Sequence, residues 1–201
     1  VNNDIILILR VGIMDDESEK VLHDYDLSQS EMMMENCITV DANDMVTGFS
    51  PKFDCHHKDG ILHRAFSVIL FDENDRILIQ KRSSEKITFP GVWANTCCSH
   101  PLDIDGNLDD FGSTLVNAAK RKMNQELGIS KEECEMLIFH NIGKIEYSCR
   151  WNQDWIEREI DYILITKAKP KISPNTNEIS EYRWVNLDEL NSIFYGKENI
   201  G

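Results

Sequence analysis

The run Thr114-Leu-Val-Asn-Ala-Ala-Lys-Arg-Lys-Met-Asn-Gln-Glu-Leu127, followed by Gly128, decides how the rest of this chain is read. Leu115, Ala118 or Ala119, Met123 and Leu127 recur at helical spacing and share one side, and Gly128 stands where a left-handed C-terminal cap belongs. On either side of this helix the signals are those of strands. Upstream, Ala65 to Phe71 and Arg76 to Lys81 are apolar, β-rich runs joined by Asp72-Glu-Asn-Asp75, a hairpin signature. Before them, Cys37-Ile-Thr-Val-Asp41 reads as a strand, Ala42-Asn43-Asp44 as a turn, and a second short strand ends at Gly48. Downstream, Glu157 to Thr166 and Tyr182 to Val185 read as strands, and a further helix begins after Asn186. A helix embedded among strands predicts an α+β fold, a mixed, curved sheet with flanking helices. The acidic segment 1–36 is read as an N-terminal extension with a helix from about Glu19 to Glu35, and 37–201 as the main domain.

At 201 residues, with 41% hydrophobic and 28% charged residues, the chain has the make-up of one soluble globular domain. A formal net charge of −14 excludes non-specific nucleic-acid binding, which needs a basic surface. It does not exclude a small anionic substrate, since a local basic cluster overrides the global sign. Six cysteines with no secretory leader in view point to a reducing compartment, the cytoplasm or an organelle. Ile5 to Leu9 is too short to span a bilayer and lacks a basic flank, so no membrane anchor is expected. The chain begins at Val1, as a fragment or a processed product would. Nothing in the sequence indicates an oligomeric state.

Chemistry-bearing residues concentrate mid-chain. Cys55-His56-His57-Lys-Asp-Gly-Ile-Leu-His63 supplies histidines before a strand, and Thr96-Cys97-Cys98-Ser99-His100-Pro101 places thiols beside another, in a stretch too polar and Pro-bounded for a core strand. Glu157 and Glu159 lie two apart on a strand, hence on one face. Imidazoles with carboxylates suit a borderline divalent ion such as Zn²⁺ or Mn²⁺. The plain alternatives are a solvated edge-strand face for the glutamates and small buried apolar residues for Cys97 and Cys98. Lys81, Arg82 and Lys86 after one strand, with Lys120, Arg121 and Lys122 on the helix, form the kind of basic set a diphosphate needs, or simply solvate the surface.

Five motifs occur in order: Leu62-His-Arg-Ala-Phe-Ser67, Lys86-Ile-Thr-Phe-Pro-Gly91, Asn95-Thr-Cys-Cys-Ser-His-Pro101, Gln125-Glu-Leu-Gly128 and Glu157-Arg-Glu-Ile-Asp-Tyr-Ile163. Together they resemble the type 1 isopentenyl-diphosphate isomerases, which have a Nudix-like fold, over residues from about Cys37 to about Phe194. Against the Nudix hydrolase pattern G-x5-E-x7-R-E-U-x-E-E-x-G-U, the register is set by Arg121, Met123, Glu126, Gly128 and Ile129. Ser113, Lys122 and Gln125 then stand where hydrolases carry glutamates, so the fold is kept and the hydrolytic metal cluster is dismantled.

The resemblance implies a metal-dependent isomerase of isoprenoid biosynthesis that interconverts isopentenyl and dimethylallyl diphosphate, small-molecule prenyl diphosphates. It places His56, His63, His100, Glu157 and Glu159 at a Zn²⁺ or Mn²⁺ site, with His57 the competitor of His56. His56 is preferred because it follows Cys55 and lies four residues after Lys52, which matches a lysine meeting the diphosphate. Cys98 matches the catalytic cysteine, Cys97 a position that tolerates small residues, and Tyr147 a tyrosine assisting the carboxylate. Glu126 matches the ligand of a Mg²⁺ that travels with the diphosphate. Arg82, Lys86, Arg121 and Lys122 match phosphate contacts, and Trp93 is expected to supply an aromatic wall. Relatives carry a C-terminal Thr-Pro-Trp segment whose tryptophan covers the substrate, whereas this sequence stops at Glu198-Asn-Ile-Gly201. A truncated, inactive isomerase homologue and a Nudix-type diphosphate hydrolase are therefore the alternatives.

Overall fold

The computed structural model describes residues 14–195. The apolar run Ile5 to Leu9 and the terminal Glu198-Asn-Ile-Gly201 lie outside them.

Strand β3 (His63–Phe71) is the axis of the sheet. Along one edge runs β8 (Ile156–Lys167), parallel and in register from His63↔Glu159 to Phe71↔Lys167. The other edge is shared by β1 (Asn36–Val40) at Thr39↔His63, by β6 (Cys97–Ser99) at Ser67↔Cys98, and by β4 (Ile77–Arg82) at Phe71↔Ile77. Outward lie β2 (Val46–Pro51) on β1, β7 (His140–Arg150) on β8, and β9 (Ile179–Val185) and β5 (Trp93–Ala94) on β4. The expected strands and the mixed sheet with flanking helices are present, the strand expected to end at Gly48 continuing to Pro51. The segment read as too polar for a core strand is corrected: β6 is inserted in the sheet and Cys97 is fully buried. Its thiols count as small apolar groups, and alternation lets every second residue stay polar.

Alternation on β3 separates core from site. Phe66, Val68 and Leu70 face helix α4 (Phe111–Leu127) and pack with Leu115, Ala118, Ala119, Met123 and Leu127, all essentially inaccessible. Burying a side chain of leucine size is worth about 1.5–3 kcal/mol, so this face anchors the fold. His63, Ala65 and Ser67 point the other way. Gly128 ends α4 at φ 62°, and a Cβ there would lie 1.9 Å from the Ser173 carbonyl oxygen. Only glycine satisfies both demands. The helix expected after Asn186 is α6 (Leu187–Phe194), closed by a capping box between Asn186 and Glu189.

The N-terminal segment differs from expectation. In place of one helix from Glu19 to Glu35 there are α1 (Asp16–Leu22) and α2 (Leu27–Met32). The carboxylate of Asp26 accepts from Gln29 N at 3.1 Å, which starts a new helix where the old one would have continued. Leu22, Met33 and Met34 then pack with Phe53, Ile87 and Trp155. Not foreseen were α3 (Lys52–His56), α5 (Lys131–Met136) and β7, whose almost wholly exposed side chains give no alternating signal.

Candidate metal and diphosphate site

Three segments bring their imidazoles to one carboxylate. Helix α3 delivers His56, β3 begins with His63, and the exit of β6 carries His100. Their Nε2 atoms lie 3.7, 3.4 and 2.8 Å from Glu159 Oε1 of β8. The four potential ligand atoms fall within 4.8 Å of one another, and all four residues are buried.

The orientation of the rings is informative. His56 Nδ1 lies 2.8 Å from the Lys52 carbonyl and His63 Nδ1 2.7 Å from the Ile61 carbonyl. A carbonyl only accepts, so both Nδ1 atoms carry the proton and both Nε2 atoms present lone pairs. His63 Nε2 is buried without a hydrogen-bond partner. Burial pulls His56 down to about 4 and holds His100 well below the usual histidine range. Burial also pulls on His63, but its contacts with Glu159 and Cys37 more than offset this and its pKa is raised. The His56 and His63 Nε2 atoms, His100 Nε2 and the Glu159 carboxylate meet in one buried space, and a divalent cation would take all four as ligands. The donor set thus fits a borderline divalent metal. His57, the competitor of His56, is instead packed against Phe53 and Trp155.

Glu157 shares the strand face of Glu159 but stands outside the group of four. Its oxygens lie 3.4 Å from Thr88 Oγ1 and 3.3 Å from the Tyr147 hydroxyl. Tyr147, opposite Glu159 in the β7–β8 ladder, also donates to Glu159 Oε2. The two carboxylates are pushed apart in acidity. Burial and the neighbouring Glu159 charge raise Glu157, whereas the three histidines overcome burial and hold Glu159 well below the carboxylate range.

β6 separates the two cysteines by alternation. Cys97 faces the α4 core, and Cys98 lines the cavity. The Cys98 thiol donates to Asn95 Oδ1, and Ser67 Oγ, itself donating to Asp161 Oδ2 at 2.7 Å, lies 3.9 Å from its sulfur. Burial, then the Asp161 charge, raises the thiol pKa, so Cys98 holds its proton. β6 and β8 flank β3 on opposite edges, and Cys98 and Glu159 both line the cavity.

The cavity, about 170 Å³, is lined by two kinds of group. One comprises His56, His100, Glu157, Glu159 and Tyr147; the other comprises Lys52, Arg82, Lys86, Lys122 and Glu126. Lys122 Nζ lies 3.1 Å from Glu126 Oε1, both buried on α4. Lys86 Nζ pairs with Glu178 Oε2 at 2.7 Å. The Arg82 guanidinium donates to the carbonyls of Thr88 at 2.7 Å and Phe89 at 3.0 Å. Phe89 holds φ 47°, uncommon for an aromatic residue, and its ring lies 5.1 Å from that of Trp151.

Two expected contacts are not brought here. Arg121 does not line the cavity: its guanidinium is paired with Asp105 at 2.7 and 2.8 Å and donates to the His100 carbonyl at 3.2 Å, behind the site. Trp93 lines a separate apolar cavity with Ile77, Ile79 and Leu190, under the Arg183 guanidinium. The aromatic residue of that stretch on the cavity wall is Phe89. Sequence reading also passed over Asn95, Thr88, Asp161 and Glu178. Asp161 was readable as the third carboxylate of Glu157-x-Glu159-x-Asp161 on one strand face. Glu178 carried no local signal.

The NUDIX domain family matches residues 61–200. The isopentenyl-diphosphate delta-isomerase of Schizosaccharomyces pombe is 43% identical over 190 residues, covering 90% of this chain and 82% of that protein. The isopentenyl-diphosphate Delta-isomerase 1 of Bos taurus is 42% identical over 175 residues, covering 85% and 77%. Among solved structures, DR0079 from Deinococcus radiodurans superposes with a TM-score of 0.60 at 15% identity, over 82% of this chain and 91% of that one. That likeness shows the fold, and the Nudix-like architecture expected from the sequence is the one present.

Proposed function

This chain belongs to the isopentenyl-diphosphate delta-isomerases, and from that premise we propose that it interconverts isopentenyl and dimethylallyl diphosphate through Cys98 and Glu159. The observation that carries the reading is one cavity lined by a metal-competent His/Glu cluster, by ammonium groups and by a half-buried thiol. A prenyl diphosphate has an anionic head for the ammonium groups and a short apolar tail.

The reaction adds one proton to an unactivated alkene carbon and removes another from the resulting tertiary cation. It therefore needs two proton-carrying groups, one either side of a flat five-carbon unit. Cys98 and Glu159, on strands at opposite edges of β3, both line the cavity, which suits that division. Because the reaction is reversible, each group gives a proton in one direction and takes it in the other. Tyr147, donating to Glu159, orients the carboxylate, and Asn95 orients the thiol. Phe89 and Tyr147 supply aromatic surface towards the cation.

His56, His63, His100 and Glu159 would hold a Zn²⁺ or Mn²⁺, with Glu157 beside it, and the ion would fix Glu159 and tune its acidity. Glu126, a single carboxylate beside the basic groups, suits a Mg²⁺ bound chiefly by substrate phosphates. Lys52, Arg82, Lys86 and Lys122 would hold the head group. Hydrolysis is disfavoured because Lys122 occupies one position of the hydrolase glutamates and pairs with Glu126.

The test is incubation of the chain with isopentenyl diphosphate, Zn²⁺ or Mn²⁺, and Mg²⁺ in heavy water. Dimethylallyl diphosphate carrying deuterium is expected. Release of phosphate at about 1 s⁻¹ or faster, without isomerisation, would move the chain to the hydrolases.

A further inference from the structure

We infer that Gln29, on helix α2 of the N-terminal segment, is a positioning residue for the basic groups of the cavity, acting through Glu178 on Lys86. The inference rests on the head-group role given to Lys86 above. It is carried by a chain of hydrogen bonds joining three segments remote in sequence. Gln29 Nε2 donates to Glu178 Oε1 at 3.0 Å and to Asn177 Oδ1 at 2.6 Å. The other Glu178 oxygen accepts from Lys86 Nζ at 2.7 Å. Ser83 N donates to the Glu178 carbonyl at 2.9 Å, tying the start of the Lys86 loop to the same residue.

Burial makes this chain matter. Gln29 is 3% exposed and Glu178 5% exposed. A carboxylate out of water must have its lone pairs met, and here one oxygen is met by a cavity lysine and the other by the N-terminal helix. With its second oxygen pinned, the carboxylate cannot rotate away from the ammonium. Lys86 has three donors, of which Glu178 takes one, leaving the others free for phosphate oxygens. Glu178 is thus an anchor for the lysine more than a competitor with the substrate. The amide of Gln29 cannot be turned round in this site, because its oxygen would then face the carboxylate.

The segment carrying Gln29 has its own apolar anchorage, Leu22, Met33 and Met34 against Phe53 and Trp155. Loss of the amide therefore need not undock it. The competing account is that Gln29 merely helps to dock α2, in which case its loss lowers stability and leaves substrate affinity alone.

The experiment compares Gln29→Met, nearly isosteric but without the amide, with Lys86→Ala and the double variant in the full chain. It measures KM and kcat for isopentenyl diphosphate, and the Kd of inorganic pyrophosphate by calorimetry. Gln29→Met is expected to raise KM and Kd about three- to tenfold, the span of one hydrogen bond, with kcat within about twofold. The double variant should bind no more weakly than Lys86→Ala. Unchanged Kd in Gln29→Met beside weakened binding in Lys86→Ala overturns the inference and leaves the head-group assignment standing. Unchanged Kd in Lys86→Ala overturns both. If Gln29→Met does not fold, Glu178→Gln is measured instead. It should weaken pyrophosphate binding, and unchanged binding there overturns the inference.

Discussion

The two kinds of group that line the cavity solve opposite electrostatic problems. In one, three imidazoles and a carboxylate converge in a buried space, and His63 Nε2 has no hydrogen-bond partner. In the other, two of the lysines already have a carboxylate: Lys86 has Glu178 and Lys122 has Glu126. The first is complementary to a cation held permanently. The second suits a transient anion, because two of its lysines are neutralised by carboxylates between visits. The lesson is that a site for a resident cation gathers donors around one point, whereas a site for a transient anion pairs part of its charge with carboxylates.

The largest expected effects are at the two proton-carrying groups. Cys98→Ala and Glu159→Gln should each lower kcat by about 10³-fold or more, the upper range of acid–base contributions. The double variant should be little worse, since the pair acts as a unit. Deuterium incorporation into product measures this. Cys97→Ala should retain activity, because its side chain packs on α4. The opposite ranking of the two thiols would exchange their roles.

Removing the resident ion should come next. Prolonged chelation is expected to abolish activity and to lower the unfolding midpoint, since an ion bound only by the folded state stabilises it. Adding Zn²⁺ or Mn²⁺ should restore both. A chelated protein with no metal in the wash and an unmoved midpoint would make the histidine cluster structural, and the contrast between the two kinds of group would dissolve.

Among the basic groups the effects are smaller. Lys86→Ala should raise KM about tenfold, as expected for a charge-assisted contact worth roughly 1.5–3 kcal/mol. In the intact protein, burial lowers Lys86 to about 8, against the opposing pull of Glu178. Lys52 and Arg82 lower it further, and Glu126 raises it. The ammonium is the binding form, so affinity is full below that value and falls as pH rises through it. A KM that is flat from pH 7 to 9 would remove Lys86 from the clamp.

The smallest effect is expected at Trp93. Its ring lines the apolar cavity beneath α6, so Trp93→Phe should alter KM and kcat by less than about twofold. Phe89→Ala should cost more, since that ring lines the substrate cavity. Steady-state kinetics of the two variants decides which aromatic residue serves the site.

Much of this protein was legible in the sequence alone. The α4 helix and its Gly128 cap were readable because periodicity and turn chemistry are local. The strands of the central hairpin, β8 and the α6 cap were legible for the same reason. His56, His63, His100, Glu159 and Cys98 could be singled out because their motifs stand in order along the chain. What the sequence could not decide was direction. Whether Trp93 or Phe89 turns inward, and that Arg121 pairs with Asp105, depends on which way each side chain leaves its own element. Pairing across distance was equally hidden. Glu178 meets Lys86 and Gln29 only after α2, the loop behind β4 and the turn before β9 are folded together. β7 escaped notice because a strand exposed along nearly its whole length has no buried face to impose a pattern. Periodicity records burial against the chain's own core, whereas charge pairing and side-chain aim are settled by neighbours that only the tertiary structure supplies.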